Sequence, residues 1–326
     1  MPWKLRLIFK IGSALTDASR RSNGTINRRL LSFFSPHASA SLHPSTGVRT
    51  SDITIDPSHN LRIRVFVPAS PPSTPLPVVV FFHGGGFAYL SAMSHVYDAV
   101  CRRFSRKIGA VVVSVDYRLS PEHRYPAPYD DGLEVLRYLD SGGIQSEKVM
   151  EGIKMDSSSC FLMGDSAGAN IAHHVARRYC TETANWNRIQ LAGVIAIQPF
   201  FGGEERTESE IRLEGAPLVS QERTDWLWKA FLPEGADKNH EAAYVFSPAT
   251  ELGNAFPPVL LVIGGYDPLQ DWQKRYYEML KQKGKEVQLI EYPNAVHAFY
   301  VFPFDESKQL IHEIMAFVEE KRSKAT

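Results

Sequence analysis

The sequence predicts an α/β fold: a mostly parallel central sheet with helices on both faces. Three observations carry this expectation. Strand-like and helix-like stretches alternate from about residue 50 to 322, as in chains that build parallel sheets. Val78-Val79-Val80-Phe81-Phe82 is a short continuous apolar run, the pattern of a strand buried on both faces. A Gly-x-Ser-x-Gly turn, Gly164-Asp165-Ser166-Ala167-Gly168, falls between a strand pattern and a helix pattern.

Taken in order, residues 1–45 read as an appendage, a helical arm docked on the body. Leu7, Ile8, Ile11 and Leu15 share one helical face. A polar turn at Ser22-Asn23-Gly24 follows, then Leu30, Leu31, Phe33 and Phe34, and a Ser/His/Pro-rich link to Ser45. The catalytic body is expected over 46–326. Residues 52–56 and 61–67 alternate as strands. Five prolines mark a loop from Pro68 to Pro77, ahead of the buried strand 78–82. A helix over 94–107, a strand over 110–115, a Pro-rich loop over 119–128 and a helix over 129–140 follow. Then come a strand over 160–163, a helix over 166–179, and strands over 191–197 and 259–263. A helix over 269–283, a strand over 287–291 and a helix over 306–322 close the chain. Residues 202–256 break the alternation and read as a helical insertion, a lid together with the arm.

Composition bounds the function. The 326 residues carry 36 Lys and Arg against 36 Asp and Glu. An even balance argues against a wholesale nucleic-acid binder. The balance hides an asymmetry: residues 1–30 hold seven basic residues and one acidic one, Asp17. A clasp of basic arm on acidic body would account for the cancellation. Lys4, Arg6 and Lys10 interrupt the apolar residues that a secretory signal would need. Three cysteines do not make a disulfide framework. The expectation is a soluble protein of the cytoplasm, with the nucleus open to it, and without membrane insertion.

The chemistry rests on four pieces. Ser166 in the tight turn would present its hydroxyl at a helix N-terminus. A serine hydroxyl needs a base. Of eleven histidines, His297 lies just beyond a strand, where sites form in open α/β sheets. His173 and His174 sit inside a helix and read as packing or surface residues, and His83 as an organiser of its own loop. The base needs a carboxylate. Asp267 follows the strand 259–263 directly; Asp271 and Glu291 are competitors. The order Ser166, Asp267, His297 is one of the known triad orders. Backbone N–H groups of Gly84, Gly85 and Gly86, with Ala167 after the serine, would form an oxyanion hole. Phe87, Tyr89, Phe200, Phe201, Trp226, Val296 and Phe299 are pocket candidates, with ordinary core packing the competing role for most of them. This chemistry needs no metal and no organic cofactor.

Several phrases then carry a resemblance. They are His83-Gly-Gly-Gly-Phe87, Asp116-Tyr-Arg-Leu-Ser-Pro-Glu122, Gly164–Gly168, Gln198-Pro-Phe-Phe-Gly-Gly203, Tyr266-Asp-Pro268 and His297-Ala-Phe299. The chain resembles plant carboxylesterases of the hormone-sensitive-lipase-like group in the α/β-hydrolase superfamily. The resemblance implies a triad of Ser166, Asp267 and His297. It also implies an oxyanion hole from Gly85, Gly86 and Ala167 with Gly84 close by, and a structural brace at 116–122. It implies hydrolysis of small, largely apolar carboxylic esters. The same group holds gibberellin receptors, in which the triad histidine is replaced, and dehydratases and cyclases of specialised metabolism. A hormone-like receptor and a lyase or cyclase are therefore the alternatives.

Overall fold

A computed structural model describes residues 3–70, 73–181, 186–216 and 218–325. Its centre is one eight-stranded sheet. The strands are β1 (Val48–Asp56), β2 (Leu61–Pro68), β3 (Leu76–Phe82), β4 (Val111–Asp116), β5 (Met155–Asp165), β6 (Leu191–Ile197), β7 (Val259–Tyr266) and β8 (Val287–Val296). Their spatial order is β1-β2-β4-β3-β5-β6-β7-β8. The β1–β2 and β2–β4 pairs are antiparallel and all others parallel.

The apolar runs are explained by burial on two faces. In β3, Val78, Val80 and Phe82 join one core, and Val79 and Phe81 the other. Helices α4 (Ala127–Asp140), α5 (Ala167–Thr181) and α8 (Gln270–Gln282) supply Leu133, Val175 and Trp272 to the first core. Helices α3 (His95–Phe104) and α9 (Asp305–Ala325) supply Val100, Leu310 and Phe317 to the second. Among the described residues no helix is long and apolar enough to cross a membrane.

Two boundaries differ from expectation in ways that matter. β8 runs on to Val296 rather than stopping at Glu291, because pairing with β7 resumes past an irregularity at Gly264 and joins Tyr266 to Val296. Pro293 is tolerated there because β8 is the edge of the sheet. β5 extends to Asp165, so the strand leads straight into Ser166.

The arm consists of α1 (Trp3–Ser19) and α2 (Arg28–Phe34). The face of α1 expected to dock does so only in part. Leu7 and Ile11 are half exposed, and the side chain of Ile8 lies outside the described residues. Phe9, Ser13 and Ser19 are buried instead, with Phe9 edge-on against Phe302. Leu15 faces a cavity. The helix thus docks through Phe9 on Phe302 and through Gly12, Leu15 and Thr16 at the cavity, a face turned away from Leu7 and Ile11. The insertion between β6 and β7 contains α6 (Glu208–Arg212) and α7 (Gln221–Phe231).

Candidate active site

Ser166 occupies the corner between β5 and α5 with φ of 53°. Few L-residues adopt this left-handed conformation, so the surroundings must hold it. Its N–H donates to Ile197 O at 2.9 Å, and its carbonyl accepts from Phe200 N at 2.9 Å. Glycine is required at Gly168, where a Cβ would lie 2.0 Å from Phe82 O. The corner can therefore be tight, and the N-terminus of α5 lies directly behind the serine.

His297 follows β8 and Asp267 follows β7, the neighbouring strand. His297 Nδ1–H donates to Asp267 Oδ2 at 2.8 Å. That bond fixes the tautomer and leaves Nε2 as the basic nitrogen. Burial opposes the imidazolium, but the Asp267 carboxylate outweighs it and raises the His297 pKa above the ordinary histidine value. Asp267 is fully buried and satisfied. Oδ2 also accepts from Gln273 Nε2 at 2.9 Å and Gln198 Nε2 at 3.1 Å, while Oδ1 accepts from Leu269 N at 2.9 Å. Of the competing carboxylates, Asp271 accepts from Ser209 N at 2.8 Å, and Glu291 is exposed 3.9 Å from Lys274. Neither is bonded to His297. Ser166 and His297 line one cavity, and within the described residues no hydrogen bond joins them. Contacts of this kind commonly tighten only around a substrate.

The glycine loop after β3 corrects one expectation. The Gly84 N–H is already committed, to Tyr97 Oη at 2.7 Å and Asp165 Oδ1 at 2.9 Å. It is a brace rather than a donor. The N–H groups of Gly85, Gly86 and Ala167 have no partner among the described residues. Gly86 has φ of 61°, and a Cβ there would come within 2.4 Å of Leu227 on α7. His83 Nδ1 donates to Gly84 O at 2.8 Å, and Tyr117 Oη donates to His83 O at 2.7 Å, so His83 does organise its own loop. Burial drives its pKa down to about 4. Burial drives the Asp165 carboxyl up to about 6, against the Tyr97 hydroxyl that holds it down. His173 and His174 are both buried packing residues, with His173 Nδ1 on Tyr276 Oη at 2.9 Å.

The cavity holding Ser166 and His297 measures about 300 Å³. Of the seven pocket candidates it takes only Tyr89 and Phe200. Phe87 is core, stacked on Phe231 at 3.8 Å, and Phe201 packs against Tyr276. Trp226 lies behind Tyr89 and under the guanidinium of Arg20. Val296 and Phe299 line a separate outer cleft of about 1010 Å³, on the far side of α1. The cavity wall comes largely from residues that the sequence did not mark as pocket residues: Leu15 and Thr16 of α1, Leu31 of α2, and Leu90, Leu218, Val219, Leu227 and Leu269. Also missed were Asp165, Tyr97, Gln198 and Gln273. Asp165 and Gln198 stand inside motifs, but nothing local to either shows its distant partner.

Charge places the arm only partly as expected. Arg28 grips Glu122 through two bonds of 3.0 and 2.6 Å and also bonds Ser120 O and Ala88 O. Asp17 reverses the expected sense, pairing with Arg223 of α7 at 3.0 and 2.6 Å. Lys10, Arg21 and Arg29 are exposed. Asp56, His59 and Glu134 are the one metal-capable trio found among the described residues, and none lines the cavity.

The chain is 42% identical to the gibberellin receptor GID1C of Arabidopsis thaliana, over 97% of this chain and 93% of that one. It is 34% identical to carboxylesterase 20 of the same plant, over 88% and 89%. Among solved structures, the hyperthermophilic esterase of Pyrobaculum calidifontis superposes with a TM-score of 0.73 at 29% identity, covering 85% of this chain and 87% of the other. Residues 79–301, from the buried strand β3 past His297, match the alpha/beta hydrolase fold family, and the chain belongs to it.

Proposed function

We propose that the protein is a serine carboxylesterase acting on small, largely apolar esters. The observation that carries this reading is the 2.8 Å His297–Asp267 bond beside a serine in an elbow, all at the C-terminal ends of the parallel strands. Ser166 Oγ attacks the ester carbonyl as His297 Nε2 takes its proton. Asp267 orients the imidazole and stabilises its cation. The N–H groups of Gly85, Gly86 and Ala167 receive the developing oxyanion. The alcohol leaves with the proton from His297. Water, deprotonated by the same nitrogen, then releases the acid and restores the serine. The small, leucine-lined cavity favours a compact apolar acyl or alcohol group. Carboxylesterases among the relatives support the reaction class.

Ser166→Ala tests this directly. Hydrolysis of short-chain nitrophenyl esters should fall by about 10⁴-fold or more while the unfolding midpoint stays put. Full turnover by that variant would end the assignment.

The 42% identity to a gibberellin receptor favours one second reading, a binding protein with vestigial catalysis. Calorimetry on hormone-like ligands beside a turnover assay separates the two. Tight binding with negligible hydrolysis would select the receptor. The resemblance to that group implies a replaced histidine, whereas here His297 is present and bonded to Asp267.

A further inference from the structure

We infer that Gln198 is a positioning residue, a clamp that ties the histidine loop to the carboxylate of the site; this rests on the esterase reading above. Gln198 follows the last residue of β6 and is 1% exposed. Its backbone is held at φ of 46°, with its N–H on Val262 O at 2.9 Å. The side-chain amide reaches three partners. Nε2 donates to Asp267 Oδ2 at 3.1 Å and to Val296 O at 3.2 Å. Oε1 accepts from Ala298 N at 2.9 Å. Val296 and Ala298 are the two chain neighbours of His297, so one amide grips the peptides on both sides of the imidazole and the acid it leans on. The partners leave no doubt about the amide's orientation, because a carbonyl can only accept and an N–H only donate.

Two further features belong to the same device. Ala298 has φ of 60°, an unfavourable conformation for alanine that the Gln198 contact helps to hold. Gly264 leaves the space that the amide fills, since a Cβ there would lie 2.5 Å from Gln198 Nε2. Gln273 also bonds Asp267, but its other contact is Pro199 O and it does not touch the histidine loop. Only an amide on a two-carbon stem at position 198 both donates to the acid and spans to residues 296 and 298. Leucine fills similar space without bonds, and asparagine is one methylene short.

The role has a signature that a packing role lacks. Without the clamp the loop loosens and the His297–Asp267 contact weakens. Burial then meets a weaker pull from Asp267, with the attraction of the Asp165 carboxylate unchanged, and the imidazole pKa falls. The test compares Gln198→Leu with the parent full-length protein, by pH profile of kcat/KM and by NMR titration of His297. The expected result is a loss of about 10²-fold in kcat with KM little changed. The acid limb and the imidazole titration should both move to lower pH by about one unit. If Gln198→Leu does not fold, Gln198→Asn is read the same way. An unmoved limb and titration overturn the clamp, leaving packing only. An upward shift also overturns it, because Gln198 would then act solely by quieting the carboxylate. If the parent shows no Ser166-dependent turnover, the esterase reading fails, and the His297 titration still judges the clamp by itself.

Discussion

Two regions meet at Ser166 and are built on opposite terms. The floor, at the ends of β5, β6, β7 and β8, is made of directed hydrogen bonds. Every oxygen of Asp267 is occupied, and the imidazole beside it has one tautomer. The roof, made by α1, α2 and α7, sets Leu15, Leu31 and Leu227 over the cavity and is tied down by a few part-exposed ion pairs. Directed bonds fix positions to fractions of an ångström, while apolar contact is indifferent to small displacements. The floor is therefore suited to deciding what reacts and the roof to deciding what fits.

That contrast can be broken from either side. After the serine itself, the largest effect belongs to Asp267→Asn, which should cost about 10⁴-fold in kcat because the amide favours the wrong imidazole tautomer. A steady-state assay at several pH values checks it; retention of more than a tenth of the activity would show that the floor is not directed as described. Gly86→Ala should cost about 10²-fold through the oxyanion loop, since the new Cβ meets Leu227 at a positive φ. Adding Leu227→Ala should return part of that loss, and a double-mutant cycle with no coupling would separate floor from roof altogether.

The next effect is a pH shift. His297 must be neutral to take a proton, so kcat/KM should rise with pH through a value above the ordinary histidine range. Stability carries the opposite sign. The charged pair favours the fold below the unfolded histidine pKa, and this contribution is lost as pH rises through the higher folded value. Activity should thus appear over the same window in which unfolding becomes slightly easier, which paired kinetic and melting profiles would reveal. The smallest effect lies in the roof. Arg28→Ala should raise KM a few-fold and cost no more than about 1 kcal/mol, because the Arg28–Glu122 pair is part exposed. Both changes should shrink in high salt; an effect on kcat instead would mean that the arm reaches the chemistry.

The same division explains what could be read from the sequence. The elbow at Gly164–Gly168 is local, and strand ends place Asp267 and His297 without knowledge of any side-chain contact. Parallel order follows from the apolar runs of β3 and β4. Gly84 shows where this stops: its neighbours read as an oxyanion loop, yet its N–H is taken by Tyr97 and Asp165, 13 and 81 residues away. Gln198 is a glutamine in a loop until residues 267, 296 and 298 surround it. The roof is least legible. Helical periodicity pairs Leu7 with Ile11, but it cannot say that the helix is turned so that both face outward while Phe9 is buried. Aromatics near the active loops went mainly into packing, because a ring that stacks on Phe231 or Tyr276 loses more by facing a small cavity.

The sheet order also has a consequence in time. The floor draws on residues 85–86, 166–167, 198, 267 and 297, and only the successive parallel pairings β3-β5-β6-β7-β8 bring them to one edge. Such pairings close long loops and form slowly. During refolding, helical signal should therefore return well before turnover does. During synthesis, no nascent chain that stops short of His297 can hold the pair on which the proposed chemistry depends, however complete its earlier strands have become.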